Sequence, residues 1–310
     1  MKRIAMKYAE LPGTGEKVSV IGLGTWVFGG ENWGGADDEA SVRAVAQALA
    51  LGMNFIDTAP FYSDGKAEKL IGQAIRGQRE KAFIATKCGL IRENGRVAHD
   101  LTPASIMREA DLSLSRLQCD VIDLYMCHWP DPAVPVEKTM DALMTLRRVK
   151  KIRHIGVSNF DVPLLKKACA IAPVATLEVP YSVLDRGIEP ELLPFCRDKG
   201  IGMIAYGAMA GGILTGKYAK APNFTRRDAR KMFYTFYENE KFEQAQRVVH
   251  QLRACQRPLN QVALNWVRQQ PGVMTVLAGC RDALQVNANA QAAAWDLAPQ
   301  ELAMITGIKG

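Results

Sequence analysis

Four residue types in this chain can together move a proton: Asp57, Tyr62, Lys87 and His128. Asp57 closes the short apolar run 53–57, which places a carboxylate at the tip of a buried strand. Tyr62 follows in a loop beyond Pro60, Lys87 ends the apolar run AFIATK, and His128 ends VIDLYMCH. Singly, each has an ordinary explanation, since Asp favours turns and caps and Tyr packs well. Brought together, they make a proton-transfer set. A free tyrosine, with a pKa of about 10, gives up its proton reluctantly at neutral pH, and a neighbouring ammonium favours the phenolate. Asp57 would hold Lys87 charged and in place. His128, flanked by Trp129 and Pro130, can orient a carbonyl oxygen and donate to it. Such a set can protonate an oxyanion, but nothing in it reduces or attacks carbon. It needs a cofactor.

The elements that would position these residues alternate along the chain. Turn residues Pro12, Gly13 and Gly15 predict a small hairpin within residues 1–20. Strands are predicted at 21–25, 53–57, 82–87, 121–128, 154–159, 176–180, 202–206 and 273–279. Helical spacing predicts helices at 38–51, 66–76, from Thr102 with Pro103 in its first turn, at 136–150, after Asp161, and at 189–199, 259–270 and 282–295. A long excursion, 207–258, follows the seventh strand. Eight strand–helix units in ~290 residues have the rhythm of a parallel (β/α)₈ TIM barrel. No change of composition marks a linker, so 1–310 reads as one domain, with an N-terminal hairpin and a C-terminal helix. A doubly wound open sheet is the alternative, but no GxGxxG follows the first strand.

In such a barrel the C-terminal strand ends converge on one rim, where active sites lie. The expected rim carries Asp57, Lys87, His128, Ser158, Asn159, Glu178 and Tyr206, with Tyr62 in the loop after the second strand. Unpaired buried charge costs several kcal/mol, so so many ionisable strand tips favour a site over structural accident.

Composition narrows the class. The chain has 310 residues, 48% of them hydrophobic and 23% charged, as in a globular domain of ordinary solubility. No uncharged run reaches the ~20 apolar residues of a membrane span, and no apolar stretch follows the charged N-terminus, so a cytoplasmic location is expected. The seven cysteines are scattered without a CxxC pair, which suits a reducing compartment. The four histidines lack metal-ligand spacing, and no metal is expected. A net charge of +7 raises the question of nucleic acid. The basic residues are spread among acids apart from Arg226, Arg227, Arg230 and Lys231, and a dinucleotide phosphate would use the same surplus.

Several separated blocks give the chain a likeness over nearly its whole length: GLGTW, IDTAPFYSDGKAEKLIG, ATK, DLYMCHWPD, IGVSNF, ILTGK and GCRDALQVNAN. They resemble the aldo-keto reductases, and NWGGADDEAS resembles the bacterial branch with a WGG loop, which holds general-stress and sugar-aldehyde reductases. The resemblance places the catalytic tetrad on Asp57, Tyr62, Lys87 and His128. It implies NADPH extended across the rim without a Rossmann domain. By the same likeness Ser158 and Asn159 hold the nicotinamide carboxamide and Tyr206 stacks on the ring. Gly279, Arg281, Gln285 and Asn289 would grip the 2′-phosphate and adenine, with Gly24, Thr25, Trp26, Gly207, Gly212 and Lys217 completing the cofactor site. Trp26, Trp33 and Trp129 would wall the substrate pocket, with Tyr62 and parts of the long 217–240 segment, and aromatic walls suit apolar aldehydes and sugars.

Two positions depart from the family pattern. Glu178 stands where glutamine is usual, and an ionised Glu178, able only to accept, would favour the oxidised ring and make bound NADPH a better hydride donor. Gly207 and Gly211 replace a serine and an arginine, leaving backbone amides and Lys217 for the pyrophosphate and implying a weaker grip. The expected activity is NADPH-dependent reduction of an aldehyde or ketone, with Tyr62 as general acid and a small carbonyl compound as the partner. No nucleic acid and no membrane are expected, and a monomer or weak oligomer is. The rival reading, drawn from the same family, is a nicotinamide-binding redox sensor whose output is contact with another protein.

Overall fold

The computed structural model describes residues 4–308. Twelve strands and eleven α-helices, numbered in chain order, account for the architecture. β1 (Tyr8–Glu10) and β2 (Lys17–Ser19) pair antiparallel as the predicted hairpin. The barrel strands are β3 (Ile21–Gly24), β4 (Phe55–Asp57), β5 (Phe83–Cys88), β8 (Ile122–Cys127), β9 (Ile152–Ser158), β10 (Val174–Pro180), β11 (Gly202–Tyr206) and β12 (Val273–Gly279). They pair in parallel in that order, and β12 closes on β3.

Helices α1 (Asp38–Ala50), α2 (Lys66–Ala74), α3 (Pro103–Leu117), α4 (Val136–Arg148), α5 (Val162–Ile171), α6 (Leu192–Lys199), α9 (Leu259–Arg268) and α10 (Ala283–Ala290) alternate with these strands. Their starts are chemically explicit. Asp37, Thr102, Asp161 and Asp282 each accept a backbone N–H of the first turn of α1, α3, α5 and α10, which satisfies donors that have no partner within the helix. α6 begins at Leu192 rather than at 189. The Glu189 side chain is held by Tyr181 and Arg186 in the preceding turn, and Pro190 disfavours helical backbone at the residue before it. The helix expected over 282–295 ends at Ala290 and tightens into a 3₁₀ turn over Gln291–Ala294. α11 (Pro299–Thr306) is the C-terminal helix.

Two apolar layers hold the barrel. One lies between strands and helices, and the other fills the interior. In the interior Leu11 and Val18 of the hairpin pack with Phe55, Phe83, Leu124 and Met274, so the hairpin plugs the barrel end opposite the strand tips. Packing there leaves no slack: a Cβ on Gly156 of β9 would lie 2.3 Å from Thr176 Oγ1 and 2.7 Å from Met126 Cγ.

Two features fall outside the predicted alternation. β6 (Leu90–Glu93) and β7 (Arg96–His99) form a hairpin standing on the rim between β5 and α3. The excursion after β11 holds a 3₁₀ segment (Ala210–Thr215), α7 (Ala229–Phe233), a second 3₁₀ turn (Thr235–Tyr237) and α8 (Asn239–Leu252).

Candidate active site

Parallel register brings the strand ends to one level. Gly24 lies opposite Asp57 and Gly279 opposite Gly24, while Ser158 lies opposite Glu178. Lys87 of β5 is wholly buried, and its Nζ lies 2.5 Å from Asp57 Oδ2, 3.1 Å from the Thr58 carbonyl, 3.3 Å from the Tyr62 hydroxyl and 3.4 Å from Glu178 Oε1. Tyr62 stands over this ammonium. Its ring stacks on Trp26 at 6.2 Å and meets His128 edge-on at 5.8 Å. The four residues expected to form the tetrad are thus in mutual reach.

Burial sets their proton affinities. It would lower Lys87, but Asp57, Glu178 and Tyr62 together raise it, so the ammonium stays charged. Burial raises Asp57, and the ammonium opposes that rise. For Tyr62 the expected lowering by Lys87 is present, yet burial outweighs it and the phenol is held above its ordinary value. His128 is pushed well below its ordinary value by burial and by Lys87, so it is a neutral imidazole. Burial, with Asp57 adding to it, raises Glu178 to about 8. The sequence reading of Glu178 was conditional on its being ionised; burial and Asp57 favour the protonated carboxyl.

A second polar group lies beside the first. Asn159 adopts a left-handed conformation with φ 60° directly after β9. Its Nδ2 donates to the His128 carbonyl at 3.0 Å and to Ser158 Oγ at 2.9 Å, and its Oδ1 accepts from the Tyr206 hydroxyl at 3.0 Å. Ser158, Asn159 and Tyr206 therefore form one hydrogen-bonded unit tied to the backbone that aims His128.

These groups open into a cavity of about 960 Å³ that runs across the rim. Trp26, Trp33, Trp129, Tyr62 and His128 line it, as do Gly279, Arg281, Gln285 and Asn289, the two groups meeting where Arg281 donates to the Trp33 carbonyl. Gly24, Ser158, Asn159, Glu178, Tyr206, Gly207, Gly212 and Lys217 complete the lining. Thr25 alone among the sequence-predicted cofactor residues does not reach the cavity. It is buried, and its hydroxyl donates to the Asp57 carbonyl at 2.8 Å. Its part is to hold β4.

The cavity fits an elongated nicotinamide dinucleotide. Gly207, Gly211 and Gly212 have φ of 71°, 65° and 102°, so bare backbone forms part of the channel. A Cβ on Gly211 would lie 2.9 Å from the Tyr234 ring, which fills the space a longer side chain would need. Next to Arg281 the Asp282 cap starts α10, Gln285 Oε1 accepts from the Arg281 backbone, and Asn289 Oδ1 accepts from Asn260 at 2.8 Å.

Sequence reasoning missed the rim hairpin as a wall, whereas it expected the 217–240 segment to supply one. The β6–β7 hairpin supplies Leu90 to the cavity, and Arg92 fixes it by stacking on Phe61 at 4.7 Å and pairing with Glu31 and Asp64 at 2.5 and 2.9 Å. The Asn94–Gly95 dipeptide at its tip, with φ of 50° and 74°, was the available signal. Phe233, Tyr234 and Phe236 reach the cavity from the excursion. Arg230, part of the basic cluster that raised the nucleic-acid question, turns inward. It pairs with Asp228 at 2.6 Å and stacks over Phe224 at 4.2 Å and Trp33 at 5.6 Å.

A closed parallel barrel with a buried Lys–Asp pair beneath a tyrosine, and a neutral histidine beside it, marks an oxidoreductase of the barrel type. The chain belongs to the aldo/keto reductase family, whose sequence profile matches residues 20–309. The aldo-keto reductase YhdN of Bacillus subtilis is 37% identical over 94% of this chain and 90% of its own. The NADH-specific methylglyoxal reductase of Escherichia coli is 32% identical over 93% of each chain. A glycerol dehydrogenase of Gluconobacter oxydans superposes with a TM-score of 0.89 at 34% identity, covering 97% of this chain and 94% of that one. An aldo/keto reductase of Klebsiella pneumoniae in complex with NADP and acetate gives 0.75 at 29% identity, over 96% and 94%. The protein is an oxidoreductase of a family that uses a nicotinamide cofactor. Among the described residues, no helix is long and apolar enough to cross a membrane.

Proposed function

We propose that the protein reduces an aldehyde or ketone to an alcohol with NADPH. The observation that carries this reading is the Tyr62 hydroxyl 3.3 Å above a wholly buried Lys87 ammonium that is itself 2.5 Å from Asp57. A reduced nicotinamide, when bound, supplies a hydride to the carbonyl carbon, and the oxygen then needs a proton. Tyr62 donates that proton. Because burial holds the phenol up, Tyr62 is protonated when substrate arrives, and the Lys87 ammonium stabilises the phenolate left behind. His128 is neutral and has an N–H to give, so it orients the carbonyl oxygen without competing as an acid. Ser158, Asn159 and Tyr206 would hold the carboxamide and ring. Arg281, Gln285 and Asn289 would hold the adenine end.

NADPH is favoured over NADH by the Arg281 guanidinium, a planar fork suited to phosphate, on the α10 side of the cavity. The K. pneumoniae neighbour was solved with NADP, whereas the E. coli relative is NADH-specific, so the 2′-phosphate preference is a property to measure on this chain. The substrate end is aromatic: Trp26 meets Trp33 at 5.2 Å and Phe233 at 5.1 Å, both edge-on. Such walls suit short aldehydes, aromatic aldehydes and the C–H faces of sugars.

The test is loss of NADPH absorbance over a panel of these carbonyls, with Tyr62→Phe beside the native protein. The variant should bind NADPH normally and lose about 100-fold or more in turnover. Unchanged turnover would remove Tyr62 from the acid role. NADPH binding without turnover on any carbonyl would favour the redox-sensing alternative.

A further inference from the structure

Glu178 is 3% exposed in β10, and nothing in the reaction just described uses its acidity. Its hydrogen bonds expose the problem. An ammonium has three N–H donors, and the acceptors nearest Lys87 Nζ are Asp57 Oδ2, the Thr58 carbonyl and the Tyr62 oxygen, at 2.5, 3.1 and 3.3 Å. Glu178 Oε1, at 3.4 Å, is a fourth acceptor with no hydrogen of its own. Its other oxygen, Oε2, is buried and has no hydrogen-bond partner. An ionised carboxylate so placed would be a buried charge without a dedicated hydrogen bond, which costs several kcal/mol. Asp57 already lies on the same ammonium, and two carboxylates sharing one cation repel each other when both are ionised.

We propose that Glu178 is a positioning residue of the proton-handling set: a neutral carboxylic acid whose proton decides the net charge on which Lys87 and Tyr62 work. With the proton in place, Asp57 and Lys87 cancel. Without it, the cavity floor carries one net negative charge. That charge opposes the phenolate that forms on Tyr62 during reduction, and it attracts the cationic ring of an oxidised nicotinamide. The other groups facing Glu178 do not take over this role. Tyr206 on β11 is raised by burial and by Glu178 itself, and His128 beyond β8 is neutral. Ser158, opposite Glu178 on β9, has no charge to offer. Burial and Asp57 set the pKa of Glu178 at about 8, so the change falls within a pH range in which the protein can be handled. The proposal rests on the nicotinamide reading above for its consequence, but not for the proton.

Two measurements separate those parts. Infrared difference spectra of the cofactor-free protein between about pH 6.5 and about pH 9.5 should show loss of a protonated-carboxyl C=O band that Glu178→Gln lacks; the amide keeps the shape of the side chain while removing the titration. Glu109, raised by burial to about 7, contributes a band to both proteins, so spectra that superpose, with no band lost in Glu178→Gln, overturn the proposal. Over the same range, fluorescence titration should show native affinity for NADP⁺ rising relative to NADPH, by about tenfold for each pKa unit that the cationic ring displaces, with Glu178→Gln flat. A native ratio that stays flat with pH, or the same slope in both proteins, overturns the coupling. Failure of either dinucleotide to bind the native protein would overturn the nicotinamide reading and the coupling with it, while the infrared result still judges the proton.

Discussion

Replacing Lys87 by methionine keeps most of the volume and removes the charge, and its consequences follow from the distances. Asp57, 2% exposed, loses the ammonium at 2.5 Å and is left as a buried carboxylate without its partner. Breaking a buried pair in this way costs about 3–5 kcal/mol, which in a domain of this size lowers the melting temperature by roughly 10 °C. The deficit must depend on pH. Without the ammonium, burial alone governs Asp57, and its folded pKa rises further above the ordinary 3.8. Below that ordinary value the acid is protonated in both folded and unfolded chains, so the variant loses little beyond packing. As pH climbs, the unfolded chain releases the proton and the folded one keeps it, so stability falls by about 1.4 kcal/mol per unit until the folded pKa is reached. Denaturant melts of native and variant protein from about pH 4 to about pH 8 should therefore diverge as pH rises. Adding Asp57→Asn to Lys87→Met should recover most of the loss at neutral pH. A deficit that is flat with pH, or one not rescued by the second change, would refute the ion-pair account. Carbonyl turnover should fall by at least about 100-fold in both variants, because the Tyr62 phenolate loses its counter-charge.

Arg281→Ala should narrow the preference for NADPH over NADH, read as the ratio of kcat/KM values; equal loss with both cofactors would assign Arg281 to holding the Trp33 loop, whose carbonyl it contacts. Gly212→Val places a β-branched residue at φ 102° with its Cβ 3.1 Å from Lys217 Nζ, and should weaken dinucleotide binding about tenfold or more by titration while leaving the Tyr62–Lys87 geometry intact. Normal affinity in that variant would show that the bare backbone of the channel is not a contact surface.

Most of the barrel was legible because its strands are short apolar runs bounded by polar or turn residues, and four of its helices open on a side-chain cap. The tetrad was legible for the same reason: Asp57 and His128 stand out where apolar strands end. What the sequence could not show was balance between opposing effects. Tyr62 sits beside an ammonium, as its spacing from Lys87 suggested, yet burial outweighs that neighbour. Thr25 was indistinguishable by type from a ligand contact, but its side chain turns inward to the Asp57 carbonyl. The rim hairpin was legible in principle from Asn94–Gly95, and was obscured because strand-like residues between β5 and α3 do not fit the βα rhythm.

The basic and aromatic run 224–237 gains its meaning from Trp33. A surface for nucleic acid needs free cations beside exposed rings, and Arg230 is instead neutralised by both oxygens of Asp228 and bonded to the Tyr218 hydroxyl. Its guanidinium lies over one face of the Trp33 ring, and the Ala229 N–H donates to the Asn32 carbonyl at 2.7 Å. From the other side, Arg281 donates to the Trp33 carbonyl. One tryptophan thus joins the strap, the substrate wall and the arginine assigned to the 2′-phosphate. The strap also offsets the missing side chains at Gly207 and Gly211: Tyr234 packs across both, and Tyr237 donates to the Gly211 carbonyl at 2.9 Å. On the proposed nicotinamide reading, cofactor grip would depend less on side chains reaching up from the barrel than on aromatic cover laid down from above. Arg230→Met should on that account raise KM for cofactor and substrate together, and a change confined to one of them would break the link through Trp33.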